Sequence, residues 1–312
     1  MEETYYEMDL PRENIHLRCF AHSIMNYRYH WHPDEYELSI VLKGNQEYCR
    51  GTETHSLFED DLILTAPGNS HASMRQQPGT RALVLHFPSN ALKLLVKKGY
   101  IYQFPTCLSN ENTRYEERFC RIRFYASQIW QSLECGGTYA QLSAKVNLEL
   151  LLITLFTEFD PQQINLISEE DKRRATIHLL LSYVEEHYAE KLSLEDLADY
   201  AQYNRTYVST LFKQMVGINF HEYLTRVRFQ HALNDLTYTR DNLTDIALKN
   251  GFPDLKTLTA RFRSTFQRTP AQYRAALKPD EVLYDKVRQF LDPQDMVLRK
   301  KLGEYAKTGI IK

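Results

Sequence analysis

Two stretches of the C-terminal half carry one pattern. "LEDLADYAQYNRTYVSTLFKQM" runs from Leu194 and "LTDIALKNGFPDLKTLTARFRSTF" from Leu243. Leu194, Leu197 and Ala198 correspond to Leu243, Ile246 and Ala247 at an offset of 49, and Val208, Leu211 and Phe212 to Leu258, Arg261 and Phe262 at an offset of 50. The one-residue slip falls between the two apolar groups, where a turn is expected. Spacings of three and four residues on both sides of a turn describe two short helices, so each copy reads as a helix-turn-helix. Ser193, with Asp196 three residues on, is a capping-box-like start. Gln202 to Asn204 makes the first turn, and Asn204 suits the N-cap of the next helix. In the second copy "NGFPD" makes the turn. There Gly251 permits positive φ, Pro253 suits a turn or helix start, and Asp254 can cap.

The second helix of each copy has two faces. At about 100° per residue, Val208, Leu211, Phe212 and Met215 fall together and face a core. Thr206, Ser209, Thr210 and Lys213 lie opposite, with Arg205 at the helix start. In the second copy Leu258 and Phe262 face inward, while Lys256, Thr259, Ala260 and Arg263 face outward beside Leu255. Small, hydroxylic and basic side chains make a face that a DNA major groove accepts closely. A solvated helical hairpin would show one such face by chance. Two matching faces with a turn at the same place point to double-stranded DNA. Charge agrees. Residues 203–278 hold twelve Lys/Arg against five Asp/Glu on a chain whose net charge is −2. Between the copies, "GINFHEYLTRVRFQHALNDL" reads as one spacer helix with Phe220, Tyr223, Leu224, Val227, Ala232 and Leu236 on its apolar side. Two recognition helices on one face of DNA need a separation of about 34 Å, which a rigid spacer can set.

The rest of the chain is a different kind of polypeptide. At 312 residues it has room for two domains, and 43% hydrophobic with 25% charged residues fits a soluble globular protein. "MEETYYEMDLPREN" shows no apolar signal-peptide region, and the apolar stretch "VNLELLLITLF" is short and contains Glu149, so neither a secretory signal nor a membrane span is expected. Five cysteines without a CxxC pair suit free thiols in a reducing cytoplasm.

Residues 20–88 alternate apolar and polar in "YELSIVLKG", "HSLFEDDLILTAPG" and "RALVLHFP", which suggests a small antiparallel barrel or sandwich. Residues 91–159 switch to helical spacing. Tyr115, Phe119, Ile122, Ala126, Ile129 and Trp130 share one side of a first helix, and the Leu-rich "YAQLSAKVNLELLLITLFTEF" should be buried in its own domain or against a second copy. The polar "DPQQINLISEEDKRR" is the expected linker. Within the β region, "YHWHPDEYELSIVLKG" holds His30, His32 and Glu37. Strand alternation puts both histidines on one face, with Trp31 pointing the other way. Imidazole and carboxylate are metal ligands, and they equally hydrogen-bond a polar ligand.

"LFKQMVGINFHEYL", then Arg228 with Ala232 and Leu233, then "IA…GF" and "TPAQYR" at 269–274 closely resemble the AraC/XylS family of bacterial transcription regulators. The resemblance covers about the last third of the chain. Two departures stand out. Gln267 occupies a place where the family usually has Gly, so the preceding helix is expected to end another way. The chain also continues past Arg274 to Lys312, and that extension is expected to be helical. The N-terminal half resembles the cupin-like sensor domain common in this family. "HWHPDEYELSIVLKG" fits the first cupin motif with His30, His32, Glu37 and Gly44, and "EDDLILTAPGNSH" fits the second, ending at His71. In metal-binding cupins the corresponding four positions hold one divalent ion, which here makes His30, His32, Glu37 and His71 candidate ligands for Zn, Mn, Fe or Ni. In sensor cupins such positions often line a small-molecule pocket without metal.

The combined expectation is an α+β chain. A cupin-like effector-binding and dimerisation domain spans 1–160, a linker 161–174, a double helix-turn-helix DNA-binding domain 175–278 and a helical extension 279–312. The resemblance implies a cytoplasmic, homodimeric regulator rather than an enzyme, with DNA, RNA polymerase and a small polar effector as partners and no cofactor required. A sugar or oligosaccharide is the expected effector class, bound by His30, His32, Glu37, His71, Trp31 and Tyr48, with Tyr27, Tyr29 and Tyr36 adding aromatic surface. The alternative is a cupin-type metal-dependent enzyme with an accessory helical domain.

Overall fold

The computed structural model describes residues 5–10, 15–24, 26–32, 34–50, 53–77, 79–92, 100–165, 169–277 and 290–308. Its N-terminal half is built from two antiparallel sheets. The first has the order β1 (Tyr6–Leu10), β2 (Ile15–Ser23), β9 (Arg81–Pro88), β4 (Glu35–Lys43), β7 (Leu62–Thr65). The second runs β3 (Asn26–His30), β8 (His71–Arg75), β5 (Asn45–Arg50), β6 (Glu53–Phe58). Strand structure begins at Tyr6, earlier than the alternation at 20–88 suggested. The cause is β2, where Ile15, Leu17, Cys19 and Ala21 are buried at every second position.

Period two sorts the first sheet into two faces. Tyr36, Leu38, Ile40 and Leu42 of β4 join Leu83, Leu85 and Phe87 of β9 in the largest apolar core. That core is covered by α1 (Glu117–Cys135) and α2 (Thr138–Glu158), an antiparallel pair joined through Gly136 and Gly137. Phe119, Ile122, Ala126, Ile129 and Trp130 are buried as expected. Tyr115 is not: it precedes the helix, in turns organised by Asn110 and Thr113, and is exposed. The alternate residues of the sheet, including Glu37 and His86, face the barrel interior.

The described residues of the segment expected as a linker are structured. Gln162–Asn165 forms β11, which pairs antiparallel with β10 (Tyr100–Gln103), and α3 already begins at Glu169. Polar, Pro-containing sequence reads as loop, but an edge strand needs only a partner's backbone groups.

The helical domain comprises α3 (Glu169–His187), α4 (Leu194–Ala201), α5 (Arg205–Met215), α6 (Phe220–Tyr238), α7 (Leu243–Lys249), α8 (Leu255–Phe266) and α9 (Pro270–Ala275). The caps fall where the sequence placed them. Ser193 and Asp196 form a capping box, Asn204 accepts from Tyr207 N, and Asp254 accepts from Thr257 N. Gly251 has φ +76°, and a Cβ there would stand 2.7 Å from Arg228 Nε and 2.9 Å from the Tyr188 carbonyl. Both conformation and space therefore require glycine. The expectation for Gln267 is corrected. It ends α8 in the left-handed conformation at φ 55°, the geometry glycine would supply. Gln202 ends α4 the same way, at φ 57°.

Each helix-turn-helix has its own core, and α6 belongs to both. Its first half gives Phe220, Tyr223, Leu224 and Val227 to the core of Leu197, Val208 and Phe212. Its second half gives Phe229, Ala232, Leu233 and Leu236 to the core of Ile246, Leu258 and Phe262. Nineteen residues make this shared helix roughly 28 Å long. Of the extension expected to be helical, residues 290–308 are described. Its helix α10 (Met296–Thr308) turns back and joins the core of the N-terminal domain through Leu291, Leu298, Leu302 and Tyr305.

Candidate ligand site and nucleic-acid face

Glu37 sits at the centre of a histidine cluster. The ladder sets it opposite Thr65 on β7 and His86 on β9. His30 and His71 are paired across β3 and β8, and His32 follows β3. Around Glu37 Oε2 lie His71 Nε2 at 3.1 Å, His86 Nε2 at 3.1 Å, His32 Nε2 at 3.2 Å and His30 Nε2 at 3.7 Å. On the other carboxylate oxygen, the Tyr48 hydroxyl is at 3.3 Å, and it also lies 3.0 Å from the Thr65 hydroxyl. The four sequence candidates His30, His32, Glu37 and His71 are thus brought together.

His86 was missed, and so was the group behind it. Arg18 donates to Glu35 Oε2 at 2.5 Å and lies 3.1 Å from His86 Nδ1, while Glu35 is 3.5 Å from the same nitrogen. The signal in "RALVLHFP" was there: His86 alternates with Leu85 and Phe87 and must face away from the helix-covered core. Its position opposite Glu37 needed the register, which pairing alone reveals.

Burial and neighbouring charge act against each other in this cluster. Burial would raise the Glu37 pKa, but the opposing charge of His71 and hydrogen bonds from His30, His32 and His71 hold it well below the usual carboxylate range. Burial likewise disfavours charged His86, yet hydrogen bonding to Glu35 and Glu37 outweighs it and raises its pKa. Hydrogen bonding to His86 and the charge of Arg18 bring Glu35 down to about 2. Burial lowers His71, and takes His22 down to about 4.

A metal ion fits the first four residues on chemical grounds. One ligand atom from each of His30, His32, Glu37 and His71 lies within 4.8 Å of the others. His71 also stands between two acceptors: the Asn69 carbonyl is 3.1 Å from Nδ1, and the Glu37 carboxylate is 3.1 Å from Nε2. An imidazole so placed needs a proton on each nitrogen, or one proton and a cation. Burial opposes the doubly protonated form. A carbonyl that fixes the Nδ1 proton is also the usual support for a histidine that binds metal through Nε2.

The aromatic candidates separate. Tyr48 lies in the interior, but its ring stacks on His71, 5.8 Å between centroids. Trp31 points away from the cluster and stacks on His178 of α3 at 3.5 Å. It joins the two domains and does not line the interior with His30 and His32. Tyr36 is fully buried against Phe87 in the helix-covered core, with its hydroxyl donating to the Tyr102 carbonyl. The side chains of Tyr27 and Tyr29 lie outside the described residues.

On the helical domain, Arg205, Thr206, Ser209, Thr210 and Lys213 of α5 are exposed, as are Lys256, Ala260 and Arg263 of α8. Leu255 and Thr259 are half-buried. The inward residues Val208, Leu211, Phe212, Leu258 and Phe262 are buried. Arg205 reaches Glu195 at 2.9 Å, a surface pair that competes weakly with phosphate. Arg261, the repeat counterpart of Leu211, turns back to Glu222 of α6 at 2.9 Å.

The second sheet separates the cluster from α6. Tyr48 and His71 face the cluster from β5 and β8. Their neighbours Glu47, Cys49, Ala72 and Met74 lie against Arg226, Val227 and Phe229 of α6.

Residues 14–134 match the AraC-like ligand binding domain family, and residues 197–276 match a helix-turn-helix domain family. An uncharacterized HTH-type transcriptional regulator of Staphylococcus aureus is 37% identical over 241 residues, 76% of this chain and 31% of the relative. The HTH-type transcriptional activator RhaS of Enterobacter sp. (strain 638) is 27% identical over 154 residues, 49% of this chain and 53% of the relative. The chain spans less than a third of the length of the curated staphylococcal relatives it matches. Among solved structures, ToxT from Vibrio cholerae O395 is similar over 85% of this chain and 98% of that one, at 12% identity and a TM-score of 0.39. With an AraC-like ligand binding domain followed by a double helix-turn-helix, the chain belongs to the AraC/XylS family of transcription regulators.

Proposed function

We propose that the protein is a sequence-specific DNA-binding regulator whose N-terminal domain binds a small polar effector at the Glu37 cluster. The observation that carries the reading is the pair of outward faces on α5 and α8, held at the two ends of one rigid helix. Arg263 and Lys213 serve phosphates, while Thr206, Ser209, Thr210, Lys256, Thr259 and Ala260 lie against base edges. The domain make-up is that of a regulator and not of an enzyme. Such a protein works in the cytoplasm, with RNA polymerase as its further partner. Two copies would meet through α2, where Tyr139, Leu142, Val146, Leu150 and Ile153 are exposed at spacings of three and four residues.

For the effector, a sugar or oligosaccharide suits an interior of fixed donors and acceptors, namely Glu37, Tyr48, His71 and His86. A second reading assigns the site a divalent ion held by His30, His32, Glu37 and His71. The placement of His71 between two acceptors favours it. When bound, the ion would supply an open coordination position for an effector hydroxyl or carboxylate. The test is salt-dependent binding of genomic DNA fragments by the full chain, followed by selection of preferred sites. Absence of binding at low salt would reject the DNA-binding reading.

A further inference from the structure

The helical domain leaves the N-terminal domain after β11, and the chain comes back to it at Phe290. Phe290 and His22 form an antiparallel bridge, and Leu291 N donates to the Ala21 carbonyl at 2.7 Å. On that edge of β2, the β1 ladder covers only Ile15 to Cys19. The returning chain takes over where β1 stops. It thereby satisfies backbone groups that would otherwise leave an open sheet edge.

The returning segment is anchored at several independent points. Leu291, Leu298, Leu302 and Tyr305 are buried in the core that also contains Leu38 and Trp130. Asp295 takes both oxygens to Arg81 Nη1, at 2.7 and 2.8 Å. Arg299 makes a two-pronged pair with Glu134, and the buried Lys301 and the Tyr305 hydroxyl both reach Asp60, at 2.8 and 2.7 Å. Phe290 itself lies edge-on to Phe20, 5.3 Å between centroids. The Phe20 ring in turn borders His22 at 5.6 Å and His86 at 5.5 Å.

We propose that residues 290–308 are the closing piece of the N-terminal domain and that Phe290 seals the barrel on its His22–His86 side. The helical domain is then an insertion, attached to the ligand-binding domain at both ends. On the reading of the Glu37 cluster as an effector site, a ligand reaching His86 from this side must displace the Phe20 ring and with it Phe290, which stands on the second attachment. Ligand entry thereby gains a route to the helical domain that is separate from the contact of β5 with α6.

Two experiments on the full chain test this, and neither depends on DNA binding or on a known effector. In the first, a protease site is placed within residues 279–288 and cut. The peptide containing 290–312 should co-elute with the body of the protein in gel filtration, and should be lost when Leu298→Asp and Leu302→Asp are added. Loss of the peptide from the cut protein without those changes would overturn the closing role. In the second, histidine acylation by diethyl pyrocarbonate is followed by mass spectrometry. Phe290→Ala should make His22 and His86 react several-fold faster, with His55 on β6 unchanged and Phe290→Leu close to the parent protein. Equal rates at His22 and His86 in Phe290→Ala and the parent would refute the seal.

Discussion

Arg226 Nη1 on α6 donates to the sulfur of Cys49 on β5 at 3.0 Å. The residue before Cys49, Tyr48, faces the opposite way and reaches Glu37. One strand thus touches the ligand site with one residue and the spacer helix with the next. From Arg226 the contact continues through Glu222, 2.9 Å away, to Arg261 on α8 at 2.9 Å.

Arg226→Ala should therefore weaken the hold of the second sheet on α6. The guanidinium is partly solvated, so the expected loss is about 1–2 kcal/mol of stability, read as a lower midpoint in urea. DNA affinity without effector should persist, because Arg226 is not on the outward face of α5 or α8. An effector response equal to that of the parent protein would show that the β5 contact carries no signal.

On the DNA face, Lys213→Ala and Arg263→Ala should weaken all sequences alike. Each should reduce the steepness of log K against log salt by about one phosphate contact. Thr206→Ala, Thr210→Ala, Lys256→Ala and Thr259→Ala should instead relax preference at single base positions, by about 1–3 kcal/mol of discrimination. Competition titrations against a set of single-base variants separate the two groups. Uniform effects from all six would contradict the assignment of faces.

Removing the Glu37 carboxylate takes from the buried histidines the acceptor they share and leaves His86 with Glu35 alone. Glu37→Ala should cost on the order of 3–5 kcal/mol, as for other broken buried pairs, while Glu37→Gln keeps the shape and costs less. Both should abolish effector response. If the metal reading holds, the parent protein carries about one equivalent of Zn, Mn, Fe or Ni, and His30→Ala/His32→Ala loses it. Elemental analysis of protein purified without chelator decides. A metal content that is unchanged in the double variant would place the ion elsewhere.

The stripe on α2 gives a prediction about assembly. Leu142 and Ile153 are more than half exposed. Leu142→Glu/Ile153→Glu should turn a dimer into a monomer in sedimentation while leaving the thermal midpoint of the protomer almost unchanged, since neither side chain is in the core. A sharp fall in that midpoint would mean that the stripe packs within its own chain.

The sequence by itself determined the helical domain to a close approximation. Its caps, turns and faces are local: Ser193 and Asp196, Asn204, and Asp254 each act within four residues, and helical periodicity separates Val208 and Phe212 from Thr206 and Lys213 without any knowledge of the partner surface. Alternation along one strand put His30 and His32 on a shared face with Glu37 close behind in sequence, and the resemblance to the cupin motifs added His71. Tertiary structure alone decided the rest. His86 joins Glu37 only through the register of β4 with β9, which no residue within either strand encodes. Trp31 was assigned to the pocket on composition, and its stacking on His178 depends on how two domains meet. Within the segment read as a linker, Gln162–Asn165 became strand because β10 offered its edge, and Leu291 and Leu298 found the N-terminal core across more than a hundred intervening residues. Local conformational preference is set by neighbours in the chain. Register, domain contact and long-range closure are set by burial and pairing between segments far apart in sequence, and become visible only when both partners are in place.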